Sequence, residues 1–258
     1  MPSARSTSGA SVIAILRTTV GDMPVSQHTI AGTVLTMPVR IRTANLHSAM
    51  FSVPADPAQR LIDYSGLRVC EYLPGKAIVM QMLVRYVDGD LGRYHEYGTA
   101  IMVNPPGTQR RGPRALTRAA AFIHHLPVDQ VFTLEAGRTI WGFPKIMADF
   151  NVTAGRRFGF DVSADGRLIA GIEFSTGLPV PTLGWQMLKT YSHHDGVTRE
   201  IPWEMKVSGL RARLGGARLR LGDHPYAKEL ASLGLPKRAL LSQSAANVEM
   251  TFGDGHPI

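Results

Sequence analysis

The sequence predicts a mainly β domain with a few short helices, folded as a closed or nearly closed barrel-like sheet. Extended segments rich in β-branched residues recur along the 258 residues, whereas helical segments are few and short. Asp-Gly pairs mark tight turns between several of these segments. No repeat, heptad or linker divides the chain. We therefore expect one domain over residues 21–258, after a flexible N-terminal segment over residues 1–20.

The composition is ordinary for a soluble globular protein, with 44% hydrophobic and 19% charged residues. Cys70 is the only cysteine, which excludes an intrachain disulfide and a cysteine-based zinc site. The net charge of +8 comes from scattered arginines. Their densest cluster, over residues 110–118, lacks the aromatic residues that single-strand binders interleave with charge. We interpret it as a solvated loop, with a subunit-contact or anion-binding loop as the alternative, and expect no nucleic acid partner.

The N-terminal region carries no targeting signal that we recognise. The apolar run Val12–Leu16 is shorter than the roughly 7–15 residues of a secretory hydrophobic region. No stretch approaches the ~20 apolar residues of a membrane-spanning helix. We therefore expect a cytoplasmic protein without a membrane partner. Residues 11–27 fit a short strand or part of a helix equally well.

The first extended segments come before a helix. Thr29–Arg42 is rich in β-branched residues and Ala49–Val53 forms a second short strand. A helix then begins with Asp56 as its N-cap and Pro57 at its first position.

A β-hairpin follows over residues 76–103. Lys76–Val87 is almost continuously apolar, which predicts a strand that is buried on both faces, with Gln81 as its uncharged polar residue. Asp88–Gly92 forms the turn, and Tyr94–Val103 is the returning strand.

The remainder of the chain continues the β pattern. Asp165-Gly166 predicts a tight turn, residues 179–196 a looser segment, and 226–233 a short helix. Extended segments are predicted over Val131–Glu135, Met147–Val152, Arg157–Val162, Arg167–Phe174, Thr198–Leu210, Ala212–Leu221 and Ala239–Phe252.

The stretch Gly137–Met147 places Lys145 in an otherwise apolar, aromatic and turn-forming run. Gly142 and Pro144 exclude the middle of a helix here. Only six of the 28 basic residues are lysines, so a lysine in such a run indicates that an amine is needed. A desolvated amine can attack a carbonyl carbon, whereas a guanidinium cannot. The alternative is a lysine whose stem packs while its ammonium reaches water.

Glu96 is the second candidate, because a glutamate on a buried strand is rare without a partner or a role. It fits either a structural ion pair with an arginine or a proton-transfer group beside a Schiff-base lysine.

Metal and nucleotide chemistry are not expected. The pairs His124-His125 and His193-His194 are adjacent in sequence, and adjacent strand residues face opposite sides of a sheet, so neither pair should bind one metal. The sequence contains no phosphate loop, dinucleotide fingerprint or nucleophile elbow. We therefore expect no metal and no cofactor.

Three motifs together resemble the acetoacetate decarboxylase family, over roughly residues 39–252. They occur in the family's order and with comparable spacing. They are Gly137-Arg138 with Phe143-Pro144-Lys145, then Tyr94-x-Glu96-x-Gly98-x-Ala100, and Gly216-x-Arg218-Leu219-x-Leu221-x-Asp223-His224 with Leu235-Pro236.

This resemblance implies an antiparallel β cone or barrel with an apolar interior, assembled as a homo-oligomer. Lys145 would form an imine with a small-molecule keto acid and Glu96 would transfer protons. The first reaction expected is decarboxylation of a β-keto acid; aldol condensation with dehydration through the same imine, or binding without turnover, are alternatives. The candidate substrate-binding residues are Gln81, Arg138, Trp141, Phe143, Tyr94 and His124.

The chain departs from the family pattern at three positions. Ile146 replaces a second lysine, Gln81 stands where the family pattern has a second glutamate, and the family's carboxylate-handling arginine falls near Ala44, with Arg40 and Arg42 close by.

Without an adjacent lysine, burial must keep the Lys145 amine reactive, because an apolar environment disfavours the charged ammonium. We expect Trp141, Phe143, Ile146 and Met147 to provide that environment, so that Ile146→Asp should slow imine formation.

Overall fold

The computed structural model describes residues 23–154, 157–182 and 184–258. The predicted N-terminal segment, and most of the ambiguous 11–27 stretch, lie outside these residues. The strands are β1 (Gln27–Ile30), β2 (Thr33–Thr36), β3 (Val39–Pro54), β4 (Arg68–Val69), β5 (Lys76–Gly89), β6 (Tyr94–Asn104), β7 (Ala120–His125), β8 (Asp149–Thr153), β9 (Phe158–Ala164), β10 (Arg167–Phe174), β11 (Leu178–Pro179), β12 (Gln186–His194), β13 (Val197–Leu214), β14 (Ala217–Leu221), β15 (Leu241–Phe252) and β16 (His256–Pro257). The α-helices are α1 (Ala55–Ile62), α2 (Val131–Trp141) and α3 (Pro225–Ser232).

Seven strands close into a barrel in the order β13-β12-β7-β6-β5-β3-β15, and pairing between β15 and β13 completes the ring. The mainly β barrel predicted from the sequence is therefore confirmed. Its neighbours pair in antiparallel fashion except for β7 and β12, which are parallel where Ala121 faces Thr190. No helix of the described residues is long and apolar enough to cross a membrane.

The predicted hairpin is present as β5 and β6, which pair from Val79–Ile101 to Tyr86–Tyr94. Side chains on a strand alternate between its two faces. Met80 and Met82 on β5 face the barrel interior and line a cavity there. Leu83, on the opposite face, joins a second hydrophobic cluster outside the barrel. The nearly continuous apolar sequence of β5 thus reflects burial on both faces.

A separate four-stranded sheet, in the order β14-β10-β9-β8, covers the outer face of the barrel. Phe160 of β9, Ile172 of β10 and Leu219 of β14 pack in the same cluster as Phe51 and Tyr97 of the barrel. Helices α1 and α3 add residues to this cluster. A separate hydrophobic cluster lies inside the barrel, and it contains Trp141 and Phe143. We call it the interior cluster.

Two long strands replace pairs of shorter predicted ones. Predicted breaks between residues 42 and 49, and between residues 210 and 212, do not occur, since β3 and β13 run continuously there. The segment 179–196, predicted to be loose, contains strand β12. The Asp165-Gly166 turn is confirmed, because both residues have positive φ (51° and 69°) between β9 and β10.

The helices required two corrections. Helix α1 begins two residues earlier than predicted and takes Pro54 as its N-cap, so Asp56 lies in its first turn. Val131–Glu135, predicted to be extended, forms the start of α2, where the Gln130 side chain accepts a hydrogen bond from the Thr133 amide. Tertiary packing outweighs the weak β preference of these residues.

Candidate active site

Helix α2 and the turn after it position Lys145. Gly142 ends the helix in the left-handed conformation (φ 60°), which glycine adopts without strain, and its N–H donates to the carbonyl oxygens of Arg138 and Gly137. The Phe143 amide also donates to the Gly137 carbonyl, at 3.0 Å. The chain therefore reverses direction and returns alongside the helix it has just left.

Gly137 provides the space that the returning lysine side chain occupies. A Cβ added at Gly137 would lie 2.5 Å from Lys145 Cε and 2.6 Å from Cδ, closer than such atoms can approach. Arg138 holds the lysine from the backbone side, because its Nε and Nη2 donate to the Lys145 carbonyl at 3.0 and 2.6 Å. Gly137 and Arg138 therefore fix the course of the lysine without contributing reactive atoms.

The Lys145 amine is buried, with 2% of the residue exposed. Its Nζ lies 2.8 Å from Glu96 Oε2 and donates to Thr133 Oγ1 at 3.0 Å. The ring of Tyr94 lies 5.3 Å from Nζ, centroid to atom. A buried amine beside a carboxylate has a proton acceptor within direct reach, which is the arrangement that an amine nucleophile requires.

Glu96 is fixed by Tyr86, which stacks on Tyr94 at the end of the hairpin. Tyr86 donates to Glu96 Oε1 at 2.9 Å, and the rings of Tyr86 and Tyr94 stack with centroids 4.1 Å apart. Burial, followed by the charge of Glu96, raises the pKa of both phenols well above the usual value. Both tyrosines therefore stay protonated, and Tyr86 serves as a hydrogen-bond donor to the carboxylate.

These groups lie at one end of a cavity of about 330 Å³ inside the barrel, a size in the range of small-molecule sites. Among the described residues, its only charged lining residues are Glu96, Lys145 and Lys189. The lining residues are otherwise mostly apolar: Leu46, Met50, Met80, Met82, Val84, Leu91, Met102, Ala119, Ala121, Ile123, Leu126, Trp141, Phe143, Leu188, Trp203, Met205, Val248, Met250 and Phe252, with Ser48, Tyr86, Tyr94, Thr190 and Gln243 as polar members.

A larger open groove of about 1000 Å³ lies on the four-stranded sheet, between residues such as Arg218, Glu173 and Arg157. It includes neither Lys145 nor Glu96. We assign the candidate active site to the smaller interior cavity, because that is where the amine and carboxylate meet.

The structure brings together five of the predicted site residues. Lys145, Glu96, Tyr94, Trp141 and Phe143 all line the cavity. The Trp141 indole also donates to the carbonyl oxygen of Gly253 at 2.7 Å, which anchors the end of α2 to the chain after β15.

Gln81, His124 and Arg138 do not line the cavity. Gln81 lies on the outer face of β5, where its oxygen accepts from Tyr97 and from Thr99. Neighbouring residues of a strand face opposite sides of the sheet. The prediction that Gln81 takes the place of a family glutamate in the cavity was therefore wrong, because its side chain faces outward. The adjacent cavity-facing positions of this strand hold methionines.

His124 also faces away from the cavity and belongs to a hydrogen-bonded triad. The Nε2 atoms of His124 and His125 both lie 2.7 Å from Glu229 Oε1, and Tyr64 hydrogen-bonds to His124 Nδ1 at 3.0 Å. The expectation that adjacent histidines must diverge is therefore wrong here, because a register shift in the β6–β7 pairing lies at this point. Burial raises the pKa of Glu229, but hydrogen bonds from the two histidines outweigh it and hold the pKa at about 2.

Neither nearby arginine reaches the cavity. Arg42 is bound at the surface to Asp88 and Asp90, each at 2.8 Å, and Arg40 is exposed. Ala44 is buried beside them. In the described part of the chain, no arginine lines the cavity, so neither Arg40 nor Arg42 replaces the carboxylate-handling arginine there.

Two of the four expected desolvating residues lie elsewhere. Ile146 packs against the outer cluster and Met147 is 44% exposed. The proposed effect of Ile146→Asp on the amine therefore loses its basis, since that substitution would disturb the outer cluster. Leu91 and Leu126 line the cavity together with Trp141 and Phe143.

The C-terminal motif has a structural role at the start of helix α3. His224 is the N-cap of α3 and its Nδ1 accepts from the Tyr226 amide at 3.1 Å. Tyr226 in turn hydrogen-bonds to Thr99 on the outer face of the barrel.

Sequence reasoning missed Thr133 and Tyr86, which contact the amine and the carboxylate. Tyr86 could have been found from the alternation that leads from Met82 along β5. Thr133 required α2 to be recognised, and the helical spacing of apolar residues up to Gly142 was its signal.

Comparison with known proteins supports one family. The family model described as acetoacetate decarboxylase (ADC) matches residues 22–256. A search of curated protein sequences returns no match. Among solved structures, the acetoacetate decarboxylase from Legionella pneumophila is similar with a TM-score of 0.63 and 18% identity, over 100% of this chain and 98% of that chain.

Two further solved structures are similar in fold. The enduracididine biosynthesis enzyme MppR complexed with pyruvate has a TM-score of 0.60 and 16% identity, over 86% of this chain and 91% of that chain. An acetoacetate decarboxylase-like enzyme from Sphingomonas wittichii has a TM-score of 0.52 and 15% identity, over 84% and 93%.

Proposed function

Because the chain belongs to the acetoacetate decarboxylase family, we propose that it is a Schiff-base lyase that decarboxylates a β-keto acid through an imine on Lys145. The observation that carries this proposal is the buried Lys145 amine, 2.8 Å from Glu96 at the end of an apolar cavity. A solvated lysine would remain an ammonium and could not attack a keto carbon. An apolar cavity without an amine could bind a substrate but could not form an imine with it.

Imine formation begins with proton transfer from Lys145 to Glu96. The free amine attacks the keto carbon, and the resulting carbinolamine loses its hydroxyl as water after receiving a proton from Glu96. Thr133, which accepts from Nζ at 3.0 Å, keeps the amine directed during these steps. The product is a protonated imine whose nitrogen can accept an electron pair.

The bond between the α carbon and the carboxylate then breaks. Its electron pair moves into an enamine, the iminium charge is neutralised, and carbon dioxide leaves. The apolar lining favours this step because charge disappears in it, and solvation of the substrate carboxylate is poor there. Glu96 takes up a proton from solvent and transfers it to the α carbon, and water then hydrolyses the iminium to release a ketone and regenerate Lys145.

An aldol reaction with dehydration through the same enamine is the second candidate. Two observations favour it: no arginine among the described residues lines the cavity, and a similar structure, MppR, was obtained with the condensation product of pyruvate and imidazole 4-carboxaldehyde. In this case the iminium loses an α proton to Glu96 instead of losing carbon dioxide, and the resulting enamine attacks an aldehyde carbon. A third candidate is a keto-acid-binding protein without turnover.

Carbon dioxide release from a β-keto acid tests the proposal against these alternatives. We expect release by the wild-type protein, loss in Lys145→Ala and retention in Lys189→Ala, the matched variant of the other lysine that lines the cavity. Consumption of a keto acid and an aldehyde without gas release would favour the aldol reaction. Saturable binding with no consumption of either would leave a binding protein.

Assembly and location belong to the same proposal. The buried free thiol of Cys70 suits a reducing cytoplasm, and we expect a homo-oligomer whose size is measured by light scattering.

A further inference from the structure

We infer that the substrate carries an extended apolar chain on its keto carbon, so that short acids such as acetoacetate are poor substrates. This inference rests on the proposed function and specifies its substrate class. It is drawn from the length, the lining and the exposure of the interior cavity.

The cavity continues well beyond the amine along the barrel. Tyr86 and Glu96 lie at the end that holds Lys145, which we call the closed end. From Tyr86 the cavity follows the inward residues of β5 through Met82 to Met80. Six residues of strand extend about 20 Å, which is far longer than a pyruvate or acetoacetate molecule needs.

Beyond the closed end the lining is mostly apolar, with Ser48, Thr190 and Gln243 as its uncharged polar residues. Among the described residues, six methionines line the cavity: Met50, Met80, Met82, Met102, Met205 and Met250. Methionine side chains are flexible and apolar, and they adapt to irregular hydrophobic ligands. Such a lining fits an alkyl or arylalkyl chain.

Exposure shows which end of the cavity is open. Near the amine, Trp141 and Phe143 are 3% and 7% exposed. Met80 and Met102 at the far end are partly exposed. We call this far end the open end. Lys189 lies two residues from Tyr191 of the outer cluster, on the outer face of β12, and pairs there with Glu200 at 2.6 Å, so its charge is not directed at a bound chain.

The orientation of the substrate follows. The keto group must reach Lys145 at the closed end, and the reacting carboxylate must be next to it. The apolar chain then runs toward the open end past Met82. Opposite Met82 in the β5–β6 pairing is Gly98, whose missing side chain leaves room for the methionine.

Burying a methylene group in such a cavity strengthens binding about four-fold. Decarboxylation of the proposed substrate yields a methyl ketone, so methyl ketones of increasing length are suitable probes. We propose borohydride trapping of the wild-type protein with acetone and with methyl propyl, methyl pentyl and methyl heptyl ketone. The concentration that gives half-maximal adduct on Lys145 should fall roughly ten-fold at each step, until the cavity is filled.

A variant series tests whether the cavity causes this dependence. In Met82→Phe or Met80→Phe, an added ring obstructs the path of the chain, so the preference for methyl heptyl ketone over acetone should fall at least ten-fold. Met187→Phe is the matched control, because Met187 is 41% exposed and is not among the lining residues. Its preference should equal that of the wild type.

The results separate the two proposals. If acetone and the longer ketones are trapped on Lys145 with equal concentration dependence, the chain inference is overturned and the imine mechanism stands. If no ketone is trapped, the mechanism fails. Quenching of Trp141 and Trp203 fluorescence by the same ketones then decides the inference: chain-length-dependent binding supports it, and length-independent or absent binding overturns it.

Discussion

At the scale of single residues, the site depends on the pair formed by Lys145 and Glu96. Removing one member of a buried ion pair normally destabilises a protein, because the other charge is left without compensation. The same closeness lets a proton pass from amine to carboxylate and back. Tyr86 and Thr133 hold one group each, so the pair is fixed in position before substrate arrives.

Replacing Glu96 with glutamine removes the proton acceptor while keeping a group of the same shape. We expect the rate of imine formation at neutral pH to fall by about 10²–10³, because positioned acid–base groups contribute roughly 10²–10⁴. The measurement is single-turnover trapping with borohydride, alongside a thermal unfolding curve.

Glu200→Gln is the matched control for Glu96→Gln. It breaks the lysine–glutamate pair between Lys189 and Glu200, both of which are partly exposed. Its imine rate should remain within about two-fold of the wild type, since exposed pairs contribute little. Equal losses in the two variants would contradict a specific role for Glu96.

At the scale of elements, the reactive lysine depends on α2 and on the turn that follows it. Gly137 leaves space, Arg138 holds the Lys145 carbonyl, and Gly142 reverses the chain. This explains physically why Gly-Arg and Phe-Pro-Lys occur together in one motif.

The substitution Gly137→Ala tests this packing directly. Alanine favours a helix over glycine by up to about 1 kcal/mol, so we expect α2 to persist. The new methyl group would lie where Lys145 Cε passes, so the side chain must move away from Glu96. We expect trapped adduct to fall at least ten-fold with a native circular dichroism spectrum.

Thr139→Ala serves as the control on the same helix, because Thr139 is exposed. It should keep wild-type trapping. Full adduct formation in Gly137→Ala would show that the lysine does not need the space above the glycine.

Much of the β architecture and the family's central residues could be predicted from the sequence. Alternation and turn residues identified the β5–β6 hairpin, and the motifs selected Lys145 and Glu96. The face of Gln81 could not be deduced from a family motif, because one residue of register separates the cavity from the outer cluster. Helix α2 was missed at Val131–Glu135, since its β-branched and aromatic residues favour extended structure while packing around Thr133 and Ile140 favours a helix.

At the scale of the whole molecule, the barrel encloses the cavity, and the outer sheet packs on the outside of the barrel. The interior cluster surrounds the cavity, whereas the second cluster fixes the outer sheet to the barrel. His47 of β3 contributes to the contact between the barrel and the outer sheet. Its ring stacks on Phe158 with centroids 3.6 Å apart, and its centroid lies 5.5 Å from that of Phe174.

Stability should therefore depend on pH through His47. Burial lowers its pKa from 6.5 to about 4, so the unfolded chain binds the proton more readily than the folded one. The free energy of unfolding should then decrease as pH falls from about 6.5 to about 4, by at most about 3 kcal/mol from this group. Urea unfolding across this range measures the slope.

Replacing His47 with phenylalanine keeps a ring on Phe158 and removes the titrating group. The difference in unfolding free energy between variant and wild type should shift in favour of the variant as pH decreases toward 4. Parallel pH profiles would show that His47 does not couple the sheet contact to protonation.

The central claim is that Lys145 is the nucleophile, and peptide mass analysis after borohydride reduction with a keto acid tests it most directly. The account predicts one reduced adduct, on the peptide that contains Lys145, which disappears in Lys145→Ala and persists in Lys189→Ala. An adduct on another lysine, or an unmodified Lys145 peptide under conditions in which the keto acid is consumed, would contradict it.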